Sequence, residues 1–96
     1  MRDFTGKVAV ITGGASGVGR SLAFALGRRG ARIVVGDVDE TAMADIDKAL
    51  AAEGIEARVA HCDVTNVASL ENLADVATEH FGGVQLVFAN AGIGAG

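Results

Sequence analysis

Two hydrophobic rhythms alternate along the chain. Nearly unbroken apolar runs (VAVIT, RIVVG, QLVFA) are separated by stretches in which apolar residues return every three or four positions. Short β-branched runs read as strands and the 3.6-residue period reads as helix. The pattern therefore predicts strands over residues 7–12, 32–36, 56–60 and 84–89, with three helices between them. The buried face of the first helix is expected to be Val18, Leu22, Ala25 and Leu26, ended by Gly30 as a left-handed cap. In the second, Met43, Ile46, Ala49 and Leu50 follow Asp39 as N-cap and stop at Gly54. In the third, Leu70, Leu73, Ala74, Ala77 and Phe81 follow a cap at Thr65 or Asn66 and end at Gly82-Gly83.

Strands joined through helices pair in parallel, since a parallel crossover needs a dozen or more residues, and such crossovers are right-handed. Runs that are apolar throughout, rather than alternating, belong to strands buried on both faces. The expected fold is α/β, a doubly wound parallel sheet in the order 3-2-1-4. With two helices on one face and one on the other, the fourth strand is left as an open edge. Residues 1–96 are accordingly expected to be the front part of one larger domain.

Composition narrows the function. Half of the 96 residues are apolar, too many for a disordered chain. The net charge is −4 and the eight basic residues are scattered, so no basic stripe is available to hold nucleic acid. The longest early apolar run, residues 8–11, falls far short of a signal-peptide core or a membrane span of about 20 residues. A cytoplasmic protein is expected. Cys62 is the single cysteine, which rules out an intramolecular disulfide, and its spacing from His61 and His80 is not that of a metal site. It reads as a buried thiol, and no metal is expected.

The stretch ITGGASGVGR, residues 11–20, departs most sharply from the background. Four glycines fall within eight residues, although each costs roughly 0.5–1 kcal/mol in a regular element. On the predicted framework they turn the first strand into the first helix at the carboxyl end of the sheet. Open parallel sheets take ligands there, and a helix N-terminus offers N–H groups and about half a positive charge to an anion. Gly13 serves the tight turn, Gly17 the approach of phosphate oxygens, and Gly19 the close seating of the helix. Asp37 closes the second strand 20 residues after Gly17, where a carboxylate accepts hydrogen bonds from ribose hydroxyls. Together they point to a dinucleotide.

These residues resemble the short-chain dehydrogenase/reductase family. TGGASGVG, Thr12 to Gly19, matches its Thr-Gly-x-x-x-Gly-x-Gly motif; CDVT, Cys62 to Thr65, is similar to its Asp-Val element; ANAG, Ala89 to Gly92, matches its Asn-Ala-Gly element, with Ala89 where asparagine often stands. The resemblance implies a Rossmann-type fold and NAD held by Gly13, Ser16, Gly17, Val18, Gly19, Asp37, Val38, Asp63, Val64, Asn90, Ala91 and Gly92. By the same resemblance Asp63 reaches the adenine amino group, Val64 contacts the adenine through its backbone, and residues 90–92 support the sheet and line the ribose. Basic residues that hold the extra phosphate of NADP often sit at the places filled here by Ser16 and Val38.

The implied activity is hydride transfer between the nicotinamide and a small alcohol or carbonyl, in a protein that forms homo-oligomers. It needs a tyrosine and a lysine four positions apart, with a serine and an asparagine nearby. The chain has no tyrosine, and Lys7 and Lys48 fall on the first strand and in the second helix. No catalytic residue is therefore expected within residues 1–96. Two alternatives stand beside this reading. A methyltransferase would place an acidic residue before the first glycine and space the glycines more tightly. A non-catalytic NAD sensor would lack a downstream Tyr-x-x-x-Lys.

Overall fold

In the computed structural model, which describes residues 3–15 and 17–89, strands and helices alternate as the two rhythms require. The order is β1 (Val8–Thr12), α1 (Gly17–Arg28), β2 (Arg32–Asp37), α2 (Glu40–Ala52), β3 (Ala57–His61), α3 (Val67–Phe81) and β4 (Leu86–Ala89). All pairings are parallel and the sheet order is β3-β2-β1-β4. Ile11 lies opposite Val35 and Phe88, and Val35 opposite Val59.

The sheet divides the core in two. Ala9, Ile11, Ile33 and Val35 point to the face covered by α1 and α2, where Leu26, Met43, Ile46 and Leu50 complete the larger cluster. Val8, Val10 and Val34 point to the other face and meet Leu73 and Ala77 of α3. Fully burying an aliphatic side chain contributes about 1.5–3 kcal/mol. These alternating strand residues, buried on both faces, thus hold the layers together.

Several expected boundaries move by a residue or two. β2 runs on to Asp37, which pairs with His61, so β3 is shifted to Ala57–His61. Lys7 stands just before β1. β4 begins only at Leu86; just before it Gln85 holds Val8 at both groups, its N–H donating to the Val8 carbonyl at 3.0 Å and its Oε1 accepting from the Val8 N–H at 2.7 Å. Asp39 caps α2 by accepting from the Ala42 N–H, and Asn66 caps α3 by accepting from the Ser69 N–H. Gly82 ends α3 in the left-handed conformation.

The face of α1 is a larger correction. Val18, 73% exposed, and Ala25 point outward, while Gly19, Ala23, Leu26 and Gly27 are buried. Close approach decides this: a Cβ on Gly27 would come within 2.7 Å of Ile55 Cγ2. The missing side chain lets α1 close onto Ile55, before β3; Leu22 still packs on the core as expected, and Val18 is turned away from it. The stripe of α2 is as expected, with Ala49 half-buried. In α3, Leu73 and Ala77 are buried but Leu70 and Ala74 are exposed, since Leu70 lies in the first turn, level with the ends of the strands.

α3 packs on β1, β2 and β3. β3 carries the exposed polar residues Arg58 and His61, which discourage edge-to-edge pairing; β4 reads LVFA, uncharged, with Val87 66% exposed. The 96-residue chain made alone is expected to self-associate through this strand, or to melt without cooperativity. Light scattering on an eluting peak checks it; a monomer with one cooperative melt is the contrary result.

Candidate functional site

The register of the sheet brings the ends of the four strands to one rim. Thr12 lies opposite both Gly36 and Ala89, and Asp37 lies opposite His61. The segments that follow β1, β2 and β3 must therefore stand side by side, and they hold the glycine loop, Asp37-Val38 and Asp63-Val64.

The loop turns at Gly13, whose φ of 66° is left-handed, and enters α1 at Gly17 with φ 59°. A Cβ built on Gly17 meets nothing within 4 Å, so the space over the start of α1 is open. The first N–H groups of an α-helix have no partner within it and are available to a ligand anion. Gly19 is buried beneath, in the second layer of the helix. Val18 stands at the surface beside the loop, as does Val38, 59% exposed, after β2.

Asp37 is half-buried at the end of β2. Its Oδ2 accepts from the Ala15 N–H at 3.1 Å, and its Oδ1 accepts from the N–H groups of Val38 at 2.7 Å and Asp39 at 3.1 Å. Gly36 before it lies against α3 and β3, where a Cβ would meet Leu73 Cδ2 at 2.6 Å and Cys62 Cβ at 2.8 Å. Cys62 is buried, and its thiol titrates above the usual range, chiefly because of burial and secondarily because of the charges of Asp63 and Asp37. Cys62 thus packs the rim and carries no thiolate character.

Asp63 is organised by Thr65. Its Oδ1 accepts from the Thr65 hydroxyl at 2.6 Å and the Thr65 N–H at 2.9 Å, and its own N–H donates to Ser69 Oγ at 3.1 Å. The hydroxyl, then the backbone N–H, and to a lesser degree nearby His61 hold its carboxyl below the ordinary Asp range. A lowered folded-state value stabilises the fold above the unfolded value, about 3.9, and the contribution is lost as pH falls through the folded one. Thr65→Val is expected to bring the Asp63 titration back toward the ordinary value and to shrink the acid-linked loss of this turn. Carbon NMR of the Asp63 carboxyl follows it; an unmoved titration contradicts the assignment to Thr65.

Of the residues singled out by sequence, Gly13, Gly17, Val18, Gly19, Asp37, Val38, Asp63 and Val64 all lie on this rim. Ser16, Asn90, Ala91 and Gly92 lie outside the described residues. The parts of Ala15 and Gly36 were not anticipated, being played by a backbone N–H and a missing Cβ, and Thr65, expected as a candidate cap of α3, instead gives its hydroxyl to Asp63 while Asn66 caps the helix. Among the described residues no group of His, Cys, Asp and Glu is arranged to hold a metal ion, and no helix is long and apolar enough to cross a membrane.

The chain matches the short chain dehydrogenase family over residues 7–96. It is 44% identical over 90 residues to cis-4-hydroxycyclohexanecarboxylate dehydrogenase of Sinomonas cyclohexanicum, covering 94% of this chain and 36% of that protein. It is 40% identical over 92 residues to momilactone A synthase of Oryza sativa subsp. japonica, covering 96% and 33%. Among solved structures, a short chain dehydrogenase/reductase from Burkholderia phymatum in complex with NAD superposes with a TM-score of 0.86 at 46% identity, over 91% of this chain and 31% of that one. The hydroxysteroid dehydrogenase of Escherichia coli gives 0.91 at 34% identity, over 96% and 39%. The chain thus spans about a third of the length of the curated relatives it matches.

Proposed function

The chain belongs to the short-chain dehydrogenase family, and from that premise we propose that residues 1–96 form the dinucleotide-binding part of an NAD-dependent oxidoreductase acting on an alcohol or carbonyl. The observation that carries the reading is the shared rim: an open, Cβ-free space over the start of α1, flanked by a carboxylate at the end of β2.

The residues present fit the cofactor. The pyrophosphate would lie over Gly17, Val18 and Gly19, where N–H groups and the helix dipole favour an anion. Asp37 would accept from the adenosine ribose, its half-exposed carboxylate keeping one acceptor site, on Oδ2, beyond the three already used. Val38, Asp63 and Val64 would flank the adenine, and Ser16, Asn90, Ala91 and Gly92 complete the set by their place in the family motifs. When bound, the nicotinamide supplies or takes up the hydride. The chain's own part is to bind and orient it. The setting we infer is cytoplasmic, and the complete protein a homo-oligomer.

Residues 1–96 offer no proton-transfer group of the kind the family motif implies. No tyrosine occurs in residues 1–96, Lys7 precedes β1 at the far end of the sheet, and Lys48 lies within α2. The 96-residue chain alone is thus expected to give no NAD-linked turnover of any secondary alcohol, read as nicotinamide absorbance; turnover above a blank would contradict it. The reading itself is tested by titrating the complete protein with NAD and assaying alcohols. Saturable binding with turnover supports it, binding without turnover identifies a sensor, and no binding overturns it.

A further inference from the structure

The glycine loop is stitched to the end of β2 by successive N–H groups. Gly13 and Gly14 donate to the carbonyl of Gly36, at 2.7 and 3.4 Å. At the next residue the acceptor changes from backbone to side chain, since the Ala15 N–H donates to Asp37 Oδ2 at 3.1 Å. The opposite oxygen of the same carboxylate is gripped by Val38 and Asp39 at the approach to α2. One side chain thus ties the loop that opens α1 to the loop that opens α2.

We infer that Asp37 is a positioning residue for the anion-binding loop, in addition to its proposed contact with the ribose. Gly13 and Gly17 are both left-handed and frame the segment between them with two soft points. Over the described residues 13–15 the loop is held down by the Gly36 carbonyl, the buried Ala15 methyl and the Asp37 carboxylate. Only a carboxylate fits both sides. Asparagine offers one oxygen and one amino group, so whichever way it turns, a donor faces either Ala15 or Val38 and Asp39. Serine has one acceptor and a shorter reach.

The inference rests on the dinucleotide reading for the identity of the ligand, whereas the tie belongs to the free chain. Charge and positioning predict opposite signs for inorganic pyrophosphate, which has no ribose. Removing a carboxylate beside an anion site relieves repulsion and should tighten binding. Loosening the loop should weaken it.

The experiment compares the complete protein with Asp37→Asn, by calorimetry with inorganic pyrophosphate and by hydrogen exchange at the Ala15 amide. Pyrophosphate binding is expected to weaken about tenfold and Ala15 exchange to quicken about tenfold, as losing one charge-assisted hydrogen bond implies. Pyrophosphate affinity that is unchanged or raised overturns the inference. If the parent protein binds NAD but no pyrophosphate, the dinucleotide reading stands and Ala15 exchange alone decides the tie; if it binds neither, the dinucleotide reading falls. Should the variant not fold, the parent decides: Ala15 protection on a par with Gly13 supports the tie, and exchange at the rate of an unstructured chain overturns it.

Discussion

Gly17→Trp is expected to leave the sheet folded and to reduce NAD binding by the complete protein at least about 100-fold. Gly17 is the first residue of α1, at φ 59°, and a Cβ there meets nothing within 4 Å. The fold therefore bears only the left-handed strain of a residue with a Cβ, about 1–2 kcal/mol, well inside the usual margin of roughly 5–15 kcal/mol. The indole, in contrast, fills the open space that a pyrophosphate would occupy. Losing two charge-assisted hydrogen bonds at about 1.5–3 kcal/mol each accounts for the predicted change. Gly17→Ala separates strain from blockage, since it carries the former with little of the latter, and should lose far less. A tryptophan variant that melts like the parent and binds NAD within tenfold of it would remove the pyrophosphate from the start of α1.

The same distinction between bulk and closeness explains what was legible in the sequence. The order of the elements could be read from periodicity and that of the strands from the usual doubly wound arrangement, since parallel strands must be joined by helices; β1 and the inner residues of β2 are apolar and buried on both faces, whereas β4, equally apolar, is an edge strand with Val87 and Ala89 exposed. The face of α2 could be read too, since Met43, Ile46 and Leu50 are large and fill the space between helix and sheet. The face of α1 could be read only in part: Leu22 and Leu26 meet the core as expected, but Gly19, Ala23 and Gly27 are buried by being small, while apolar Val18 invites burial and stands outside. Within the site, Asp37 and Asp63 were visible as carboxylates at strand ends. What organises each is a backbone N–H or a hydroxyl, from Ala15, Val38, Asp39 and Thr65, and such partners leave no mark on the spacing.

Asp37 also sets the expected cofactor preference, in favour of NAD over NADP by about tenfold or more. Its carboxylate can accept a hydrogen bond from a ribose hydroxyl but would face the additional phosphate of NADP with like charge. Two unit charges 4 Å apart repel by about 4 kcal/mol at an effective dielectric of 20, and a third of that remaining after solvent screening is already roughly tenfold. Neither arginine is placed for it: Arg20, on α1, pairs with Asp45 at 3.2 Å, and Arg32, at the far end of β2, pairs with Glu56 at 3.0 Å. Position 38 is open to solvent, with room for a long side chain. Asp37→Ser is therefore expected to erase the preference, and adding Val38→Arg to invert it by placing a cation beside the phosphate. Because Asp37 also ties down the loop, the first step should cost affinity for both cofactors, NAD more than NADP, and the second should restore NADP alone. Titrating both cofactors against the parent and the two variants measures each step. Equal affinity of the parent for NAD and NADP, or a preference unmoved by the substitutions, would take the discriminating role away from Asp37.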